Sequence, residues 1–352
     1  MNSAEAIALL ERIIAIPSFS KEEGGVADLI EATLAPRGHA PRRKGNNVWA
    51  LAPGIRPAGP TILMDAHVDT VRPTGAWETD PFTPVTRDGK IFGLGSNDDG
   101  GSLVSMLAVF LRLAGRRRPY NLIFSASAEE ENTGSGGIQS ILPELGRVDL
   151  ALIGEPTGMH PAIAEKGLMV LDCTARGVAG HAAREEGVNA IYAAWTDVAW
   201  FRDYRFPRVS PLLGPVKTSV TGIAAGSLHN VVPAECRFVV DARVNELYTN
   251  REVLDIIREH VACEVTPRSL SLNSSAIARE HPAVKRCEAL GRVPYASPTT
   301  SNQAVIPFTS LKIGPGDSAR SHAANEYIRP REIEEGIELY EQILDNLIIP
   351  HS

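Results

Sequence analysis

The chain has 352 residues, 43% hydrophobic and 22% charged, with a formal net charge of -7 and a pI near 5.8. That length exceeds one ordinary core and implies about two domains, and the acidic balance argues against nucleic acid as the main partner. Four scattered cysteines, Cys173, Cys236, Cys263 and Cys287, form no C-x-x-C pair, which fits a reducing compartment and argues against thiolate metal sites.

Taken in order, residues 6–14 form an apolar run that Glu11 and Arg12 interrupt at helical period. This predicts an amphipathic first helix capped by Ser3 and stopped by Pro17, not a signal peptide. No segment approaches the roughly 18 continuous apolar residues of a membrane span, so the expected location is the cytoplasm, with no membrane contact. A second helix is expected over 25–34, and strands over 47–52 and 61–66. A Pro-rich loop over 70–90 carries Trp77 and Phe82, and a loop of that length usually walls a site. Leu103, Met106, Leu107, Phe110 and Leu111 mark one stripe of a helix over 100–113. The basic run Arg116-Arg117-Arg118 behind it reads as a solvated turn or helix end.

Strands over 122–126 and 148–154 flank a short helix over 138–142. Strands alternating with helices specify an α/β fold with a mostly parallel sheet covered on both faces. From about Ala164 the pattern changes to β-α-β-β-α-β, which suggests an inserted ferredoxin-like α+β domain. After Ser274 the first domain resumes, with a helix over 282–290, a strand over 310–313 and a final helix over 331–347. The expected division is therefore 1–163 and 274–352 for one domain and 164–273 for the insert.

Polar clusters follow the apolar runs of the first domain: His67-Val68-Asp69, Asn97-Asp98-Asp99, Glu129-Glu130-Glu131 and Glu155, then Ser321-His322 near the carboxyl end. Each has a bland explanation alone; Asp98 or Asp99 can cap a helix, and three glutamates can be a charged turn. Together they fall just past strand ends, where open α/β sheets bind ligands. In H-x-D the aspartate can accept the second ring N–H of a ligating histidine. Two histidines and several carboxylates without cysteine suit zinc, with cobalt or manganese as alternatives. Two ions about 3.5–4 Å apart need a bridging carboxylate. Three ligating carboxylates then leave a net charge of about +1, which favours ionisation of a water near neutral pH. An unligated glutamate can take and return its proton.

The order of these blocks resembles the two-zinc metallohydrolases that include acetylornithine deacetylase, succinyl-diaminopimelate desuccinylase, carboxypeptidase G and aminoacylase-like enzymes. The resemblance runs from Ile16-Pro17-Ser18 to Asn325-Glu326-Tyr327 and rests on H-x-D, the acidic block, Gly154-Glu155-Pro156-Thr157 and the terminal His-x-x-x-Glu. It implies two Zn2+ per subunit, with Co2+ as a substitute, held by His67, Asp98, Glu131, Glu155 and His322. It makes Asp69 the partner of His67, Asp98 the bridge and Glu130 the proton carrier. Gly177-Val178-Ala179-Gly180-His181-Ala182 resembles a segment whose histidine reaches a partner subunit's site, implying a homodimer through the insert. Asn230 and Arg243 match substrate-contacting positions. Leu94 and Gly100 stand where the family often has arginine and lysine, and its T-S-D-x-R block reads Thr300-Ser301-Asn302-Gln303-Ala304. These departures fall outside the presumed ligands.

The implied activity is hydrolysis of a small N-acyl amino acid. The stretch Gly314-Pro315-Gly316-Asp317-Ser318-Ala319-Arg320-Ser321-His322 is most like the acetylornithine deacetylase branch of arginine biosynthesis, with N2-acetyl- or N2-succinyl-L-ornithine as substrate. The alternatives are succinyl-diaminopimelate desuccinylation, di- or tripeptide hydrolysis, and a non-catalytic binding module.

Overall fold

In the computed structural model, which describes residues 1–184 and 186–350, the chain separates into two compact units. The first comprises Met1–Ile163, Ala276–Tyr295 and the chain from Ser301 onward; the second comprises Ala164–Ser275 with Ala296–Thr300.

The sheet of the first unit runs, in spatial order, Arg42–Lys44, Asn47–Leu51, Asn121–Ser127, Thr61–His67, Leu150–Ile153 and Ser310–Lys312. The last four of these are parallel, and the first two add antiparallel at one edge. Side-chain alternation explains the layering. Ile62, Met64, Leu122, Phe124, Leu150 and Leu152 pack into a core shared with helices Ser3–Ile14, Gly24–Leu34, Gly101–Ala114 and Pro330–Leu344. Leu63, Ile123, Ala151 and Ile153 point the other way, against helix Ile138–Leu145. Burial on both faces is what a parallel sheet requires, and every residue of Thr61–His67 is buried. The register sets His67 beside Ser127, Asp65 beside Ile153 and Lys312 beside Ile153. Because the strands are parallel, all four release their following segments at one edge of the sheet.

Local chemistry moves some boundaries. Asn2, not Ser3, caps the first helix: its backbone is extended, and its side chain and Glu5 bond each other's backbone N–H reciprocally. Arg118, expected in a solvated run, is 8% exposed. Its guanidinium donates to the Leu113 and Ala114 carbonyls and so closes the end of helix Gly101–Ala114.

The second unit is a four-stranded antiparallel sheet ordered Lys217–Ala225, Glu235–Val244, Gly167–Arg176, Glu264–Pro267. Helices Ala190–Asp203 and Asn250–His260 bury Ala190, Ala194, Phe201, Val253, Leu254 and Ile257 against Met169, Leu171, Phe238 and Val240. This is the β-α-β-β-α-β order expected of the insert. Asn189 caps the first helix of this unit, its side-chain oxygen accepting the Ile191 N–H, so that the helix begins at Ala190. All four cysteines are free, and no helix among the described residues is long and apolar enough to cross a membrane.

Candidate metal centre

His67, the last residue of its strand, is 3% exposed. Its Nε2 lies 3.1 Å from Asp98 Oδ1. The other ring nitrogen, Nδ1, is 2.9 Å from the Asp69 carbonyl oxygen, with the Asp69 carboxylate farther away at 3.6 Å. This corrects the expectation that the carboxylate receives that N–H. The carboxylate is committed elsewhere: Oδ1 accepts the Glu130 N–H at 3.0 Å, and Oδ2 accepts the Glu131 N–H at 3.1 Å and the Ser20 hydroxyl at 2.7 Å. Asp69 therefore anchors the acidic turn while its backbone orients the imidazole.

Asp98 lies in the buried segment Ser96–Gly100, whose Asp98–Asp99 peptide is cis. Neither aspartate caps the helix that follows. Asp98 Oδ1 faces His67, and Oδ2 lies 3.7 Å from His322 Nε2. The two oxygens of one carboxylate thus point at two different imidazoles. His322 Nε2 is also 2.9 Å from Glu131 Oε2.

The three consecutive glutamates diverge. Glu129 has a φ of 54°, and its Oε2 accepts the Gly136 N–H at 3.3 Å, within its own loop. The approach is close: a Cβ at Gly136 would stand 2.2 Å from Glu129 Oε1, so a side chain there would displace the carboxylate. Glu130 instead groups with His67 and Glu155, their ligand-type atoms lying within 4.8 Å of one another; His67, Asp98 and Glu131 form a second such group.

Burial and mutual contact shift the ionisation of the groups gathered here. Desolvation pushes the Glu130 carboxyl up to about 8, with Glu131, Asp69 and Asp98 adding to the rise. Desolvation also lifts Glu155 well above the usual carboxylate range, Asp98 and Glu130 adding, against the opposing charge of the buried Lys312. The bond to Glu131 raises His322 to about 9. Burial disfavours charge on His67, yet Asp69 and Asp98 hold its pKa well above the ordinary imidazole value. Burial likewise works against the Asp98 carboxylate, but the His67 contact wins and keeps its pKa low. Carboxylates packed this densely need compensating positive charge. Imidazole and carboxylate donors without thiolate are a set that suits divalent ions, so the residues fit a metal pair.

Ser20 and Lys312 escaped the sequence reading entirely, and Glu326 stood there only as the last residue of the His-x-x-x-Glu motif, without a role. Lys312 is 1% exposed and its only signal is a lysine inside an apolar strand. Glu326 is 3% exposed, and its position four residues after His322 was its signal.

His181, Asn230 and Arg243 belong to the second unit. His181 is exposed on strand Gly180–His181, paired with Val231–Val232, and its Nδ1 accepts the Ala183 N–H at 3.1 Å. The exposed Asn230 is brought beside it, its carbonyl accepting the Ala182 N–H at 3.0 Å. Arg243, on strand Glu235–Val244, forms two parallel bonds to Asp241 at 2.9 and 3.0 Å, which fixes the plane of its guanidinium.

The sequence profile of peptidase family M20/M25/M40 matches residues 63–346. The chain is 28% identical over 310 residues to acetylornithine deacetylase of Proteus mirabilis (strain HI4320), covering 82% of this chain and 80% of that one. It is 26% identical over 281 residues to succinyl-diaminopimelate desuccinylase 2 of Ruegeria sp. (strain TM1040), covering 74% and 70%. Its fold superimposes with a TM-score of 0.75 on the YXEP protein of Bacillus subtilis, a dinuclear metal binding peptidase, at 15% identity and 97% coverage of both chains. With His67, Asp98, Glu130, Glu131, Glu155 and His322 all inside the matched span, this chain belongs to peptidase family M20/M25/M40 and is a hydrolase.

Proposed function

We propose that this hydrolase removes the acyl group from an N-acyl amino acid, N2-acetyl-L-ornithine or N2-succinyl-L-ornithine, with two zinc ions for which cobalt can substitute. His67 and Glu155 would hold one ion, His322 and Glu131 the other, and Asp98 would bridge them. The observation that carries this reading is the aim of the two Asp98 oxygens at different imidazoles. When bound, such ions polarise an amide carbonyl and acidify water toward neutral pH. Glu130 takes the proton from the attacking water and returns it to the leaving amine. His181 of a second copy donates to the carbonyl oxygen as charge develops on it. Asn230 and Arg243 bind the amino-acid carboxylate, for which a planar guanidinium is well shaped.

The test is a substrate panel of acetylornithine, succinylornithine, succinyl-diaminopimelate and dipeptides, run before and after chelation. The expected result is turnover of an acylornithine that chelation abolishes and zinc or cobalt restores. Turnover that survives complete metal removal would end this reading. The likeness to a succinyl-diaminopimelate desuccinylase favours a second reading, which activity on that substrate alone would establish.

Homodimerisation through the second unit is part of the proposal. Lys217–Ala225 is an edge strand with Ile223 60% exposed, and the helix packed beside it shows Tyr192 and Trp195, 76% and 69% exposed. An unpaired edge beside exposed aromatic surface favours association with a second copy. Ile223→Lys combined with Trp195→Asp should convert a dimer to a monomer in sedimentation without loss of helical content. A wild-type protein that sediments as a monomer at micromolar concentration excludes this part.

A further inference from the structure

Glu326 spends its whole carboxylate on backbone. Its Oε1 accepts the N–H groups of Asn97 and Asp98 at 2.8 Å each, and its Oε2 accepts that of Gly95 at 3.0 Å. These donors belong to the turn that ends in Asp98. From the same turn, Asn97 reaches across to Asp317: its Oδ1 accepts the Asp317 N–H at 2.9 Å and its Nδ2 donates to the Asp317 carbonyl at 3.1 Å. Gly316 makes this approach feasible, since its φ is 94° and a Cβ there would come within 2.4 Å of Asn97 Oδ1. Asp317 in turn caps the short helix Ser318–Arg320 that leads to His322. Two clamps therefore join the segment of Asp98 to the segment of His322, residues far apart in sequence whose side chains end 3.7 Å apart.

We infer that Glu326 is a positioning residue: its carboxylate holds the backbone of the Asp98 turn so that the Asp98 Oδ2–His322 half of the centre keeps the spacing a metal ion needs. This rests on the two-metal reading above. Groups that orient metal ligands without touching the ion usually contribute about 10–100-fold in affinity. The effect should fall mainly on the ion that His322 holds, because the Thr61–His67 strand sets the place of His67 independently.

The test titrates Zn2+ alone into chelator-stripped protein by calorimetry, with circular dichroism as the control for folding. Wild type should take up two ions. Glu326→Ala, which orphans all three N–H groups, should weaken the site of His322 by about 10–100-fold and the other, which keeps His67 and Glu155 in place, by clearly less. Glu326→Gln keeps an oxygen for Asn97 and Asp98 but turns an amide N–H2 toward Gly95, so its loss at the same site should be intermediate. Asn97→Ala should weaken that site too. Should the alanine variant not fold, the glutamine variant decides alone. Two sites within twofold of wild type in a folded Glu326 variant overturn the inference, as does equal weakening of both, which marks general loosening. A wild type that takes up no zinc overturns the two-metal reading itself and this inference with it.

Discussion

Glu130→Gln is expected to lower kcat by about 10²–10⁴-fold, the usual effect of losing a positioned proton carrier, with two metal ions retained and KM changed little. Glu130 groups with His67 and Glu155, while its own N–H is held by Asp69; it is the acid of the triple turn placed among the donors without contacting His322. Glu129→Ala should keep most of the activity, because the Glu129 carboxylate is engaged by the Gly136 N–H of its own loop. Glu131→Ala should instead lose metal, since Glu131 meets His322 at 2.9 Å. Steady-state kinetics paired with elemental analysis separates the three roles. Near-normal kcat in Glu130→Gln alongside a dead Glu129→Ala would move the proton carrier one residue toward the amino terminus.

His181→Ala is expected to lose about 10²–10³-fold in kcat, the scale of one donor to a developing oxyanion, with metal content unchanged. His181 is exposed, and its Nδ1 takes the Ala183 N–H, which puts the ring proton of the neutral imidazole on Nε2, where a substrate carbonyl would accept it. If a second copy supplies this histidine, mixing unfolded Glu130→Gln with unfolded His181→Ala and refolding them together should restore activity that neither variant shows alone. In the mixed dimer one site then has an intact Glu130 and an intact partner His181. No recovery, in a sample shown to contain mixed dimers, would place His181 in the service of its own chain. Bound metal lost from His181→Ala would make it a ligand instead.

Much of this molecule can be read from residue order. Runs such as Ile62-Leu63-Met64 and Leu150-Ala151-Leu152-Ile153 are apolar at every position because both faces of a parallel sheet are covered. That makes them strands in an α/β layer and puts the next polar residues at the ligand edge. Hydrogen-bond destinations were not legible in the same way. The Asp69 carboxylate looked ready for the histidine two residues away, yet it serves backbone 61 and 62 residues downstream. Arg118 looked solvated because a basic triplet carries no sign of the helix end that one member closes.

The order of apolar and polar residues by itself determined the layered α/β unit, the antiparallel insert and the chemical types gathered at one sheet edge, because hydrophobic period and strand direction are local properties that repeat along the chain. Only the tertiary structure decided that Glu129 turns into its own loop while Glu130 and Glu131 join the donor groups around His67, which oxygen of Asp98 faces which imidazole, and that Glu326 grips a turn 228 residues away from it in the chain. Those choices depend on distances of about 3 Å between groups brought together from remote parts of the chain, and such distances exist only once the sheet, its loops and its helices have packed.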